Sequence, residues 1–100
     1  MNEKPELLSV VTEPDGDQVY VHVDLSGLKK LRSTIDSMIS KLESDECDHD
    51  HLRSKDWAGY ELTTSMLESE KTNSCTQVHH VKFYAWNAEW KKKHGLFKEE

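Results

Sequence analysis

The sequence predicts an α+β fold: a two-layer sandwich with one long amphipathic helix on one face of a mostly antiparallel sheet of four to five strands, and a short C-terminal helix. Three stretches carry that expectation. QVYVHVDL, residues 18–25, alternates apolar and polar side chains with the period of a half-buried strand. Directly after it, Leu28, Leu31, Ile35, Met38, Ile39 and Leu42 recur at helical spacing. TQVHHVKFYAW, residues 76–86, is rich in the β-branched and aromatic residues that suit a pleated surface.

In chain order, ELLSVVT (6–12) reads as a strand and EPDGD (13–17) as a turn. There Pro14 sets φ and Gly16 permits a positive one. The strand at 18–25 completes a hairpin, with Val19, Val21, Val23 and Leu25 on one face and Tyr20, His22 and Asp24 on the other. Ser26 is the expected cap of a helix of about 17 residues whose apolar stripe covers one face of the sheet. HDHLR begins another strand, SKDWAGY is an irregular turn with Gly59 at a positive φ, and ELTTSML (61–67) is strand-compatible. ESEKTNS (68–74) reads as a polar loop. In the last strand Val78, His80, Lys82, Tyr84 and Trp86 face one way and His79, Val81, Phe83 and Ala85 the other. Asn87 caps a short final helix that ends near Gly95. One domain spans 1–100, with its core over roughly 6–86 and the short helix and tail over 87–100.

Composition narrows the function. A formal charge of −6, from 19 acids and 13 bases, opposes nucleic-acid binding, which needs clustered cations, and favours a basic protein partner. No apolar run approaches the roughly 20 residues that cross a bilayer. Cys47 and Cys75 lack a CxxC spacing and no signal-peptide pattern opens the chain, so a cytoplasmic location with reduced thiols is expected. The signatures GxSxG, HExxH, the P-loop and the dinucleotide fingerprint are all missing. No catalysis and no cofactor are expected.

The segment DECDHDHLRSKDWAGYEL (45–62) concentrates the residues that carry chemistry. If CDHDH is extended, Cys47, His49 and His51 share one face and could begin a zinc site, with His80 or His79 as the fourth ligand. Alternate residues of a strand stand about 7 Å apart, so three in a row do not easily reach one ion. The competing role is hydrogen bonding across the sheet. Glu43, Asp45, Glu46, Asp48 and Asp50 fail the EF-hand spacing and read as a solvated acidic loop. Trp57, Tyr60, Trp86 and Trp90 are the rings open to a contact role, because aromatics beside acids make strong anchors for a basic partner.

HDHL (49–52), S-x-x-W-x-G-x-E-L (54–62) and VHHVKFYAW (78–86) together resemble the immunity protein 32 family, small bacterial proteins encoded beside polymorphic toxins. The resemblance covers roughly residues 20–86. In the family pattern a glycine pair often follows the tryptophan; Ala58 and Gly59 stand there in this chain. The resemblance implies a cytoplasmic, non-enzymatic domain that binds and neutralises a cognate toxin. It places His49, His51, Leu52, Trp57, Gly59, Glu61, Leu62, His80 and Trp86 on motif positions. Shared features of a family are often its framework, while specificity sits on variable surface. The expected toxin contact is therefore Asp45, Glu46, Asp48, Asp50, Trp57, Tyr60 and Glu61. The alternative is a small metal-binding protein or metal-dependent enzyme using Cys47, His49, His51 and His80. Monomer and homodimer both stay open, since an exposed sheet edge can pair with a second copy.

Overall fold

The computed structural model describes residues 6–96, and within them the chain is a two-layer α+β sandwich. Five strands, β1 (Leu8–Thr12), β2 (Val19–Val23), β3 (Asp48–Arg53), β4 (Thr76–Val78) and β5 (His80–Ala85), form two antiparallel sheets, ordered β2-β1-β4 and β3-β5. The helices are α1 (Leu25–Glu43), α2 (Glu68–Thr72) and α3 (Ala88–Lys93). No helix among the described residues is long and apolar enough to cross a membrane.

The β1–β2 hairpin forms as expected, but its second strand ends at Val23, and Leu25 begins the helix rather than ending the strand. The reason is Asp24. Its Oδ1 accepts the Gly27 N–H at 2.8 Å while its own N–H donates to Leu7 O, so it closes the hairpin and caps α1 at once. The Gly27 N–H, and after it the Leu7 backbone, bond to the Asp24 carboxylate and hold it below the usual carboxylate range. Asp24, not Ser26, is the cap, and the helix runs 19 residues. Ser26 donates instead to Glu6. Gly27 is required because a Cβ there would lie 1.9 Å from Leu7 O.

The core is small. Leu8, Leu52 and Leu62 are buried together, with Val10, Val23, Leu31, Val81 and Phe83 packed around them. Helix α1 lies mainly over β3, with lesser contact to β2 and β5. Its apolar stripe was expected to cover the sheet, but only part of it does so. Met38 is buried and Leu31 and Leu42 are half-buried, whereas Leu28, Ile35 and Ile39 stay exposed. The stripe is wider than the narrow β3–β5 surface that it meets, so one flank overhangs.

Three further expectations are corrected. The stretch 61–67 is extended but is not a strand: it makes an isolated bridge, Ser54 with Leu62, and exchanges bonds with Leu8 through Thr63. The loop at 68–74 contains α2, since Glu70 turns inward, where Oε1 accepts the Leu67 N–H at 2.8 Å and both carboxylate oxygens lie 2.9–3.0 Å from His22 Nε2. Burial pushes the Glu70 carboxyl up, and the bonds from Leu67 and His22 outweigh it, leaving it below its ordinary value.

The final strand is broken at His79. Before the break the chain pairs with β1 (Val10 opposite Val78), and after it with β3 (Arg53 opposite His80). The break shifts the alternation, so Val78, opposite the core-packed Val10, joins Val81 and Phe83 on the core side instead of pointing outward with His80 and Tyr84.

Candidate functional site

The outer face of β3–β5 follows from register. Leu52 is buried toward the core, so period two turns His49, His51 and Arg53 the other way, and their cross-strand partners Tyr84, Lys82 and His80 share that surface. His51 Nδ1 and His80 Nε2 are 2.8 Å apart, with ring planes 18° from parallel, and His49 meets His51 edge-on at 5.3 Å. Burial, and then the positive Arg53 and Lys82 nearby, hold His51 below the ordinary imidazole value. Lys82 lies over the Tyr84 ring at 4.6 Å.

The loop after β3 explains the S-x-x-W-x-G-x-E-L spacing. Ser54 O accepts the N–H groups of Trp57 and Gly59, closing a 3₁₀ turn at Lys55–Trp57. Arg53 O accepts the N–H groups of Glu61 and Leu62, and the Arg53 N–H donates to Glu61 Oε1 at 2.8 Å. Leu62 then enters the core. The left-handed residue is Ala58, with φ 63°, and not Gly59 as the sequence suggested. Gly59 is needed for a different reason: its Cβ would sit 2.4 Å from Arg53 Cβ and 2.6 Å from Arg53 O.

This loop presents Trp57 with 55% of its surface exposed. The indole stacks over His79 at 6.4 Å and approaches His80 at 6.0 Å, continuing the imidazole row beyond the end of the sheet. Beneath it, Ser54 Oγ lies 2.8 Å from His79 Nδ1, and Asp56 Oδ2 lies 3.8 Å from the same nitrogen. A serine triad needs the hydroxyl and the acid on opposite ring nitrogens and an accessible hydroxyl. Here both meet Nδ1 and Ser54 is fully buried, so the trio fastens the loop to the strand break.

At the far end of β3–β5 an open concavity of about 250 Å³ is lined by Cys47, Asp48, His49, Tyr84, Ala85, Trp86, Trp90 and His94. Asn87 Oδ1 caps α3 by accepting the Trp90 N–H, and His94 stacks on Trp90 at 5.2 Å and tilts against Trp86 at 5.2 Å.

The residues expected to touch a partner are divided by this geometry. Asp45 and Glu46 are exposed on the α1–β3 turn, where Asp45 O accepts from the Asn87 side chain. Asp48 and Asp50 share the Leu52 side of β3, and Asp50 Oδ1 accepts the His51 N–H. Trp57 and Tyr60 are exposed at the opposite end of β3, ~17 Å along the strand. Glu61 faces inward to its own loop. The motif positions Leu52, Gly59, Glu61 and Leu62 form framework, while His49, His51, Trp57, His80 and Trp86 lie along the outer face or its two ends.

The quartet Cys47, His49, His51 and His80 has no common centre. Two of its imidazoles are bonded to each other and Cys47 opens into the aromatic concavity. Among the described residues no three His, Cys, Asp or Glu side chains are placed to hold a metal ion. Lys82, Tyr84 and His94 were not among the expected site residues. For the first two the signal was present, since they share the period of His80; His94 reaches the site only through the placement of α3.

No family model matches this chain, and neither a curated protein nor a solved structure is detectably similar to it.

Proposed function

We propose that this chain is an immunity-type protein that neutralises a cognate toxin by stoichiometric binding, using the outer face of β3–β5 with Trp57 at its edge. The observation that carries the reading is the aromatic and imidazole row Trp57–His79–His80–His51–His49, exposed at Trp57 and His49 and half-buried between them, held on a sheet and a hydrogen-bonded loop. Rings that are positioned before binding lose little entropy on contact and serve as anchors. The charge of −6 favours a basic partner, and exposed Asp45 and Glu46 supply local attraction beside the aromatic concavity. The HDHL and S-x-x-W-x-G-x-E-L resemblance to immunity protein 32 supplies the class of partner.

The test is co-expression with the toxin encoded beside this gene. The expected result is rescue of growth and a one-to-one complex that survives gel filtration. Absence of a neighbouring toxin gene, or a toxin that kills with this protein present and does not bind it, defeats the reading.

A further inference from the structure

Away from that face, β2 is an edge strand: among the described residues it pairs with β1 alone. Natural edges are protected by a lysine, a proline or a bulge, and VYVHV has none of these. Its apolar side chains are also uncovered. Val19 and Val21 keep 55% and 51% of their surface exposed, because α1 lies mainly over β3. Leu25, at 67%, begins the exposed flank of α1 that continues through Leu28, Ile35 and Ile39. These six side chains leave on the order of 500 Å² of apolar surface, the size that marks an interaction site.

The hydrogen-bond phase of β2 identifies what fits. Glu13 N–H donates to Gln18 O and Asp24 N–H donates to Leu7 O. Antiparallel bonds alternate, so Gln18, Tyr20, His22 and Asp24 aim their backbone groups at β1. Val19, Val21 and Val23 therefore aim theirs outward, and the same three residues carry the apolar face. A two-fold axis through Val21 is compatible with both facts. It sets Val21 opposite its own copy and Val19 opposite Val23, forming about six backbone bonds with every outward group of the strand in phase.

We propose that β2 is the two-fold interface of a homodimer, joining the two three-stranded sheets into one of six strands. The valines of both copies form a single apolar floor, and Leu25, two residues past Val23, falls beside the Val19 end of the second copy. A strand without Lys, Arg, Asp or Glu, whose outward backbone groups match those of its own copy, is the isologous patch that a two-fold dimer requires. Burial of Val19, Val21 and Leu25 of both copies, together with the backbone of the strand edge, makes this an interface at the small end of the specific range, so the dimer is expected to dissociate on dilution. The proposal is independent of any toxin, because the surface lies on the other sheet from the imidazole row.

Sedimentation of the purified full chain tests it without a partner. The expected species is twice the 11.6 kDa chain mass, dissociating on dilution. Val21→Lys, which sets two ammonium groups face to face on the axis, is expected to give a monomer with unchanged circular dichroism. Val21→Cys in a Cys47→Ser, Cys75→Ser background is expected to oxidise to a covalent dimer at least tenfold faster than Asp36→Cys, on the exposed side of α1, and this arm decides if the lysine variant does not fold. A monomer at all concentrations, or a dimer that persists in Val21→Lys and does not crosslink through Val21→Cys, overturns the proposal.

Discussion

His51 Nδ1 and His80 Nε2 lie 2.8 Å apart across β3 and β5, so one ring donates its N–H to the other, and a proton added to His51 disturbs that bond. His51 is already held below its ordinary value by burial and by Arg53 and Lys82. The folded chain then binds that proton more weakly than the unfolded chain. Its contribution to stability is complete above the unfolded value near 6.5 and is lost as pH falls through 6.5 toward the depressed folded value. The melting temperature is expected to fall between pH 7.5 and 5.5, and His51→Gln is expected to flatten that part of the profile. Thermal melts at matched ionic strength check it. A chelator is expected to leave the melt at pH 7.5 unchanged, since these ring nitrogens bond to each other.

A second acid-sensitive pair acts at lower pH. Glu70 holds α2 to β2 through His22 and has its folded carboxyl depressed, so its contribution is present above the usual glutamate range and lost as pH falls below it. Glu70→Ala is expected to lower the melting temperature by several degrees at pH 7 and to reduce the further loss seen below about pH 4.5.

Ala58 and Gly59 make opposite predictions although they are neighbours. Ala58 occupies the left-handed region, so Ala58→Gly is expected to stabilise the fold by about 0.5–1 kcal/mol. Gly59→Ala drives a methyl into Arg53 and is expected to cost about 1–3 kcal/mol. Urea titrations of the two variants separate the roles. If Gly59 rather than Ala58 supplied the left-handed turn, Ala58→Gly would lose about 0.5–1 kcal/mol instead of gaining it, and that sign decides between the two.

Trp57→Ala is expected to cost about 1–2 kcal/mol of stability, because nearly half of the ring is covered by His79, His80 and its own loop, and to weaken binding of the proposed toxin by roughly 30-fold or more, about 2 kcal/mol, in protein that is still fully folded. Asp45→Asn with Glu46→Gln is expected to slow association more than it speeds dissociation, the pattern of a charge outside the anchored contact. Calorimetry and surface-binding kinetics with the purified toxin read both.

The parts of the fold written in local pattern were legible in the sequence. The hairpin, the α1 apolar stripe, β3 and the Asn87 cap each depend on residues within a few positions of one another. The misread parts depend on distant partners. Helix α2 exists where Glu70 meets His22, 48 positions earlier, and nothing in ESEKTNS announces that partner. The overhang of α1 reflects how narrow the sheet beneath it is, a quantity that helical periodicity does not contain. The alternation of side chains along β3 was legible, but Asp48 and Asp50 were grouped with Trp57 by proximity in sequence, and the pleat sets them on the Leu52 side of the strand rather than with His49 and His51.

The break at His79 has a dynamic consequence. One stretch, 76–85, serves both sheets, and at the break the Ser54 N–H donates to His79 O beneath the Trp57 indole. Neither sheet can open far without pulling on the other. The Ser54 amide should therefore exchange with deuterium as slowly as the most protected amides of β1, and the two sheets should melt as a single cooperative unit rather than in succession.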